Sequence, residues 1–203
     1  MKEKVKNFFN KSEVVNNYRN NYKKGNINLK ILKSLKNNSK VLSLGCGGGR
    51  EVRELLKKEC KVTALDICEN MVNQSNEIEQ NANYFCIDAV DFSKENKNKL
   101  KFDYILGLFS FLSYIEKEDR KELINNLYIM LNKDGKMYFE VRKVNDRWKD
   151  ILKVFYFWVF GKPKEFGDIF QECYSHHYTT KQLKLLFKPY KHLIKNNLII
   201  LKK

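Results

Sequence analysis

Short apolar blocks recur along the first two thirds of the chain, and stretches with helical spacing separate them. Lys40-Val-Leu-Ser-Leu44, Lys61-Val-Thr-Ala-Leu-Asp66, Asn83-Tyr-Phe-Cys-Ile-Asp88, Phe102-Asp-Tyr-Ile-Leu-Gly-Leu108 and Lys136-Met-Tyr-Phe-Glu-Val141 read as strands. Between Glu116 and Leu131, Leu123, Leu127 and Leu131 recur every fourth residue with Ile124 and Met130 beside them, the apolar stripe of a helix. Asn132-Lys-Asp-Gly135 ends it, and Gly135 is the residue expected to take the left-handed turn. Ahead of the first strand, residues 5 to 22 carry Val5, Phe8, Phe9, Val14, Val15, Tyr18 and Tyr22 with partial helical spacing, a candidate helical cap. Ile27, Ile31, Leu32 and Leu35 mark a second helix, and Val52, Leu55 and Leu56 the inward side of a third. Past the fifth strand the pattern changes. Trp148 to Phe160 is dense in aromatics, Gly161-Lys-Pro163 breaks it, Phe170 to Tyr178 reads as a strand, Thr180 to Phe187 as a helix and His192 to Leu201 as a last strand.

Strands alternating with helices imply an α/β fold with a mostly parallel sheet covered on both faces. At 203 residues and 43% hydrophobic content the chain suits one domain with a full core. No apolar stretch is long enough to cross a bilayer and the N-terminus has no apolar signal block, so the expectation is a cytoplasmic protein. Cys46, Cys60, Cys68, Cys86 and Cys173 form no C-x-x-C pair and read as reduced thiols, and no Cys, His and acid spacing implies a metal. The net charge of +15 favours anionic partners, but its lysines are scattered among asparagines instead of forming a stripe, so nucleic acid is the lesser expectation.

The chemistry concentrates where the first strand ends. Gly45, Gly47 and Gly49 form a G-x-G-x-G turn that opens directly into a helix, giving backbone freedom and room for a ligand against the main chain. The dinucleotide pattern would want a small residue at position 50, where Arg50 stands, and the G-x-x-x-x-G-K-[ST] phosphate loop is absent. Asp66 ends the second strand at the spacing at which a carboxylate commonly grips ribose hydroxyls, and Asp88 ends the third. With these features in register over residues 38 to 142, the chain resembles the class I S-adenosylmethionine-dependent methyltransferases. The resemblance implies a Rossmann-like methyltransferase fold with a mostly parallel seven-stranded sheet and an antiparallel C-terminal edge pair. A single domain over 1–203 would divide into a cap (1–36), a cofactor core (38–142), an aromatic lid or insertion (143–169) and the C-terminal strand pair (170–203).

The resemblance also assigns roles. The backbone of Gly45, Cys46 and Gly47 would lie beside the methionine portion of S-adenosylmethionine, Asp66 at the ribose and Asp88 near the adenine amino group. Ala89 would offer its N–H to the ring, Ile67 and Met71 would pack on it, and Leu108 and Phe109 would line the pocket or simply pack into the core. One departure stands out: many members carry an acid two residues before the first glycine, and here it is Ser43, which cannot supply a charge-assisted bond. Arg50 is placed to reach the cofactor carboxylate or to remain an exposed first-turn arginine. Tyr18 is a candidate to close over the cofactor, Tyr22 and Tyr114 to face the acceptor, and Arg142 to anchor an acidic group on it. His176 and His177 are candidate general bases or structural histidines.

The expected reaction is methyl transfer by direct displacement to an oxygen or nitrogen of a small acceptor, anionic acceptors included. The alternatives are an RNA or protein methyltransferase, which the missing Asn/Asp-Pro-Pro-aromatic motif disfavours for bases, and a cofactor-binding interaction protein without turnover. The 148–160 segment is open to four readings: a cover for a hydrophobic acceptor, a homodimer contact, a membrane-surface contact, or a lid packed into the domain's own core.

Overall fold

In the computed structural model, which describes residues 2–21, 29–144, 148–161, 165–170 and 173–203, the main sheet has seven strands. They are β1 (Lys40–Leu44), β2 (Lys61–Asp66), β3 (Asn83–Cys86), β4 (Phe102–Gly107), β5 (Leu131–Glu140), β8 (Lys191–Lys195) and β9 (Leu198–Lys202), in the order β3-β2-β1-β4-β5-β9-β8. β1 to β5 are parallel to one another, and β9 runs antiparallel to both β5 and β8. A separate two-stranded ribbon pairs β6 (Asp168–Phe170) with β7 (Tyr174–His176). The helices are α1 (Lys2–Phe9), α2 (Ser12–Asn21), α3 (Leu29–Ser34), α4 (Arg50–Leu56), α5 (Glu69–Ile78), α6 (Ala89–Asn96), α7 (Lys117–Met130), α8 (Trp148–Phe160) and α9 (Thr180–Phe187).

Side-chain alternation along the strands builds two cores, one on each face of the sheet. Leu42, Leu44, Leu65, Ile105, Met137 and Phe139 pack under Phe92 of α6, Leu123 and Leu127 of α7 and Leu183 and Phe187 of α9. Their neighbours in sequence, Val41, Val62, Ala64, Tyr104, Leu106 and Tyr138, face Ile31 and Leu32 of α3 and Val52 and Leu55 of α4. Strand order reverses between β1 and β4, the switch point at which open α/β sheets bind ligands beyond the carboxyl ends of their strands.

Three expectations change. The left-handed residue after α7 is Asp134, at φ 63°, while Gly135 is required for a different reason: a Cβ there would stand 2.8 Å from the Asn132 carbonyl oxygen. The last strand does not run unbroken from His192 to Leu201. Asn196, at φ 53°, folds it into the β8–β9 hairpin, which is itself the antiparallel edge pair. The 170–178 segment is therefore not an edge strand of the main sheet; it supplies β7, whose partner is β6. Tyr22 and the Ile27 start of the second helix lie outside the described residues.

Candidate functional site

A cleft of about 930 Å³, open mouth included, lies over the ends of β1, β2 and β4. Gly45 and Gly47 form its floor at φ 63° and 49°; a Cβ on Gly45 would stand 2.9 Å from the Phe111 ring, and one on Gly47 would touch Tyr18 at 3.5 Å. The Gly47 N–H donates to Asp66 Oδ2 and the Cys68 N–H to Asp66 Oδ1, both at 2.9 Å, so the β2 carboxylate clamps the glycine loop. Burial pushes the Asp66 carboxyl up and these amides pull it back down. Asp66 itself lines the cleft, beside Ile67 and Cys68.

Among residues assigned from sequence, the structure brings Tyr18, Gly45, Cys46, Gly47, Arg50, Asp66, Ile67, Met71, Asp88, Ala89, Leu108 and Tyr114 to the cleft lining. Arg50 opens α4 with its guanidinium 4.2 Å from the Phe109 ring centroid and 5.9 Å from that of Tyr18. Asp88 has a structural duty as well: it caps α6 by accepting from the Val90 and Asp91 N–H groups and pairs with Lys2 at 3.1 Å.

Arg142 stands just behind the lining. Its Nη2 donates to Tyr114 Oη at 2.6 Å, its Nη1 to Ser175 Oγ at 3.4 Å, and its backbone N–H to Ser113 Oγ. Burial pushes the Tyr114 phenol up to about 12, so it stays protonated at neutral pH. The histidines are not brought in: neither lines the cleft. His176 is fully buried with Nδ1 2.9 Å from Asp168 Oδ1, burial lowers its pKa, and Nε2 has no hydrogen-bond partner. Glu165, Asp168 and His176 have the spacing of a metal-ligand trio, but Arg120 is already there, ion-paired to Glu165 and donating to Tyr174 Oη at 2.7 Å. Tyr174 Oη in turn donates to Asp168 at 3.1 Å. The His177 backbone N–H ties the ribbon to the Gly167 carbonyl at 2.8 Å.

Sequence reasoning missed Lys2, Val5 and Phe9 of α1 as lining residues; the apolar spacing of the cap was the available signal for the last two. Phe109, expected with Leu108 at the pocket wall, does line the cleft; it is a bulky residue at φ 51°, and its N–H donates to Glu140 Oε2 at 2.9 Å. Strained backbone of this kind persists only where its surroundings hold it, and here it turns an aromatic face into the cleft. A second omission answers the Ser43 departure. Ser43 Oγ donates to Glu51 Oε1 at 2.7 Å, so a carboxylate from α4 is buried behind the serine where the resemblance implies an acid.

Glu51 has a measurable signature. Burial raises its carboxyl to about 7 despite the Ser43 bond. The native state then holds a proton that the unfolded chain releases from about pH 4.5, so a stability penalty grows as pH rises and is complete above about 7. The shift corresponds to about 3 kcal/mol. In urea unfolding, Glu51→Gln is expected to match the wild type near pH 4.5 and exceed it by about that amount at pH 8.5. Equal pH profiles would refute this.

An open parallel sheet with a glycine loop at its switch point, one carboxylate at the end of β2 and another just past β3, defines a nucleotide-cofactor protein. Residues 41–135 match the family model of the methyltransferase domain, and the chain has the Rossmann-like fold of the S-adenosylmethionine-dependent methyltransferases. The ubiquinone biosynthesis O-methyltransferase of Coxiella burnetii is 28% identical over 116 residues, 55% of this chain and 46% of the relative. The phosphoethanolamine N-methyltransferase of Plasmodium falciparum is 28% identical over 174 residues, 80% of this chain and 65% of the relative. A solved S-adenosylmethionine-dependent methyltransferase of Methanosarcina mazei shares the fold with a TM-score of 0.71 at 19% identity, covering 86% of this chain and 96% of that one. The chain spans about half the length of the first of these curated relatives.

Proposed function

We propose that this chain transfers a methyl group from S-adenosylmethionine to an oxygen or nitrogen of a small acidic molecule. The observation that carries the reading is the cleft itself: the Asp66-clamped glycine loop lies on its floor, and Tyr114, bonded to Arg142, lies in its wall. The cofactor supplies a methyl on a positively charged sulfur, already activated for displacement. What the chain must add is alignment and exclusion of water.

Gly45 to Gly47 would receive the amino-acid end, Asp66 the ribose hydroxyls, and Ile67, Met71, Asp88 and Ala89 the base, with Leu108 and Tyr18 completing the enclosure. Glu51 sets a carboxyl group behind the loop, on the side where the cofactor's ammonium is expected. Arg142 holds Tyr114 in place and brings a cation to the acceptor side. Acceptors of the relatives differ, one ubiquinone-related and one phosphoethanolamine by name, which supports a small-molecule acceptor without choosing the atom.

The test is a transfer assay with labelled cofactor over phenols and amines that bear a carboxylate or phosphate, each beside its neutral isostere. Anionic acceptors are expected to be preferred, and Arg142→Ala to raise KM for them about tenfold or more while leaving S-adenosylhomocysteine affinity unchanged. Equal turnover of neutral and anionic partners would remove the anionic acceptor from the proposal.

A further inference from the structure

Among the described residues, eleven large hydrophobic side chains are exposed, and seven of them lie on α8: Ile151, Leu152, Phe155, Tyr156, Trp158, Val159 and Phe160. Phe160 is 72% exposed and Tyr156 59%. The helix has already met its obligation to the fold, because Val154 is buried and Phe157 half-buried on the inward side. The remaining face is a single apolar patch on the order of 700 Å², above the roughly 300–600 Å² of the largest patch on an ordinary monomer.

Charge decides what covers it. Lys149, Lys153, Lys162 and Lys164 fall within or beside the helix in sequence against Asp150 and Glu165, a local excess of positive charge. The whole chain carries a net charge of +15. Two copies meeting through this face would bring like charges together, whereas an anionic surface would complement them. The composition is that of an interfacial helix: Phe and Leu to enter the acyl boundary, Trp158 and Tyr156 amphipathic enough for the headgroup level, and lysines at the flanks. At 13 residues it is about 20 Å long, short of the ~30 Å hydrocarbon core, so it would lie in the surface plane.

We propose that α8 docks the protein on an anionic lipid bilayer, its aromatic face in the interface. The chain offers its own reporter, since its two tryptophans, Trp148 and Trp158, are both on this helix. Purified protein would be titrated with vesicles of phosphatidylcholine alone and of an equimolar mixture with phosphatidylglycerol, reading tryptophan emission and co-sedimentation. The expected result is a blue shift and pelleting with the anionic vesicles only. The double variant Phe155→Ser/Phe160→Ser, with unchanged circular dichroism and S-adenosylhomocysteine affinity, is expected to lose about tenfold or more in vesicle affinity. Absence of binding to either vesicle, or equal binding by the double variant, would overturn the proposal. So would a homodimer in sedimentation velocity that the variant dissociates while vesicles leave the wild type unbound.

Discussion

Replacing Asp66 with alanine is expected to weaken S-adenosylhomocysteine binding about 100-fold or more. In the wild type this carboxylate does two jobs with one group. It accepts the Gly47 and Cys68 N–H groups, which fixes the loop, and it lines the part of the cleft proposed for the ribose. Hydrogen bonds to a charged group contribute about 1.5–3 kcal/mol each, so losing a pair of them to the ligand reaches that factor before any loosening of the loop. Asp66→Asn separates the two jobs: its single carbonyl oxygen can keep one amide bond, but the amide nitrogen faces the other donor. Calorimetric titration of both variants, with thermal unfolding as the control for folding, is the check. Affinity within a factor of three of wild type for Asp66→Ala would show that the ribose grip lies elsewhere.

The largest effect on stability is expected at Arg120. Its side chain is 4% exposed and its donors go to the Ile115 carbonyl, Glu165 and Tyr174. Around it Asp168 and His176 complete a buried network that fastens the β6–β7 ribbon to α7. Arg120→Ala would leave Glu165 and Asp168 without their cation, a loss of about 3–5 kcal/mol for a buried pair broken on one side. Arg120→Lys is expected to recover less than half of that, because one ammonium cannot reproduce a fork that reaches three acceptors. Urea unfolding measures both. S-Adenosylhomocysteine affinity of whatever remains folded should be close to wild type, since Arg120 does not line the cleft. A loss below about 1 kcal/mol for the alanine variant would mean that the network contributes little.

The parts of the fold that were legible in sequence are those in which one local signal suffices. The parallel strands β1, β2, β4 and β5 announce themselves as apolar blocks because both faces of the sheet are covered over them, and the Gly45-x-Gly47-x-Gly49 turn announces the cleft floor. Errors arise where two local readings compete. Gly135 was the natural choice for a left-handed turn, yet Asp134 takes it, since the glycine is needed where the backbone of Asn132 closes in. His192 to Leu201 reads as one strand because Asn196 and Asn197 are a weak turn signal, weaker than Asn-Gly.

The site follows the same division. Asp66 and the glycines could be found from spacing alone. The Arg120–Glu165 pair spans 45 residues and the Arg142–Tyr114 bond 28, and no periodicity connects such partners. Glu51 was hidden differently: the motif drew attention to the acid absent at 43, and only the fold shows that one turn of α4 sets a carboxylate 2.7 Å from the serine hydroxyl. His176 reads as a candidate base because an imidazole can take a proton near neutral pH and strand alternation turns either it or His177 inward. Its burial on the ribbon, away from the cleft lining, is a tertiary fact.

The most direct measurement is a calorimetric titration of the purified protein with S-adenosylmethionine and S-adenosylhomocysteine, with NADH as the control ligand. Micromolar binding of the first two at one site per chain, with no heat from NADH, is the expected result. Failure of both to bind, or NADH binding as well as they do, would contradict the assignment of this cleft.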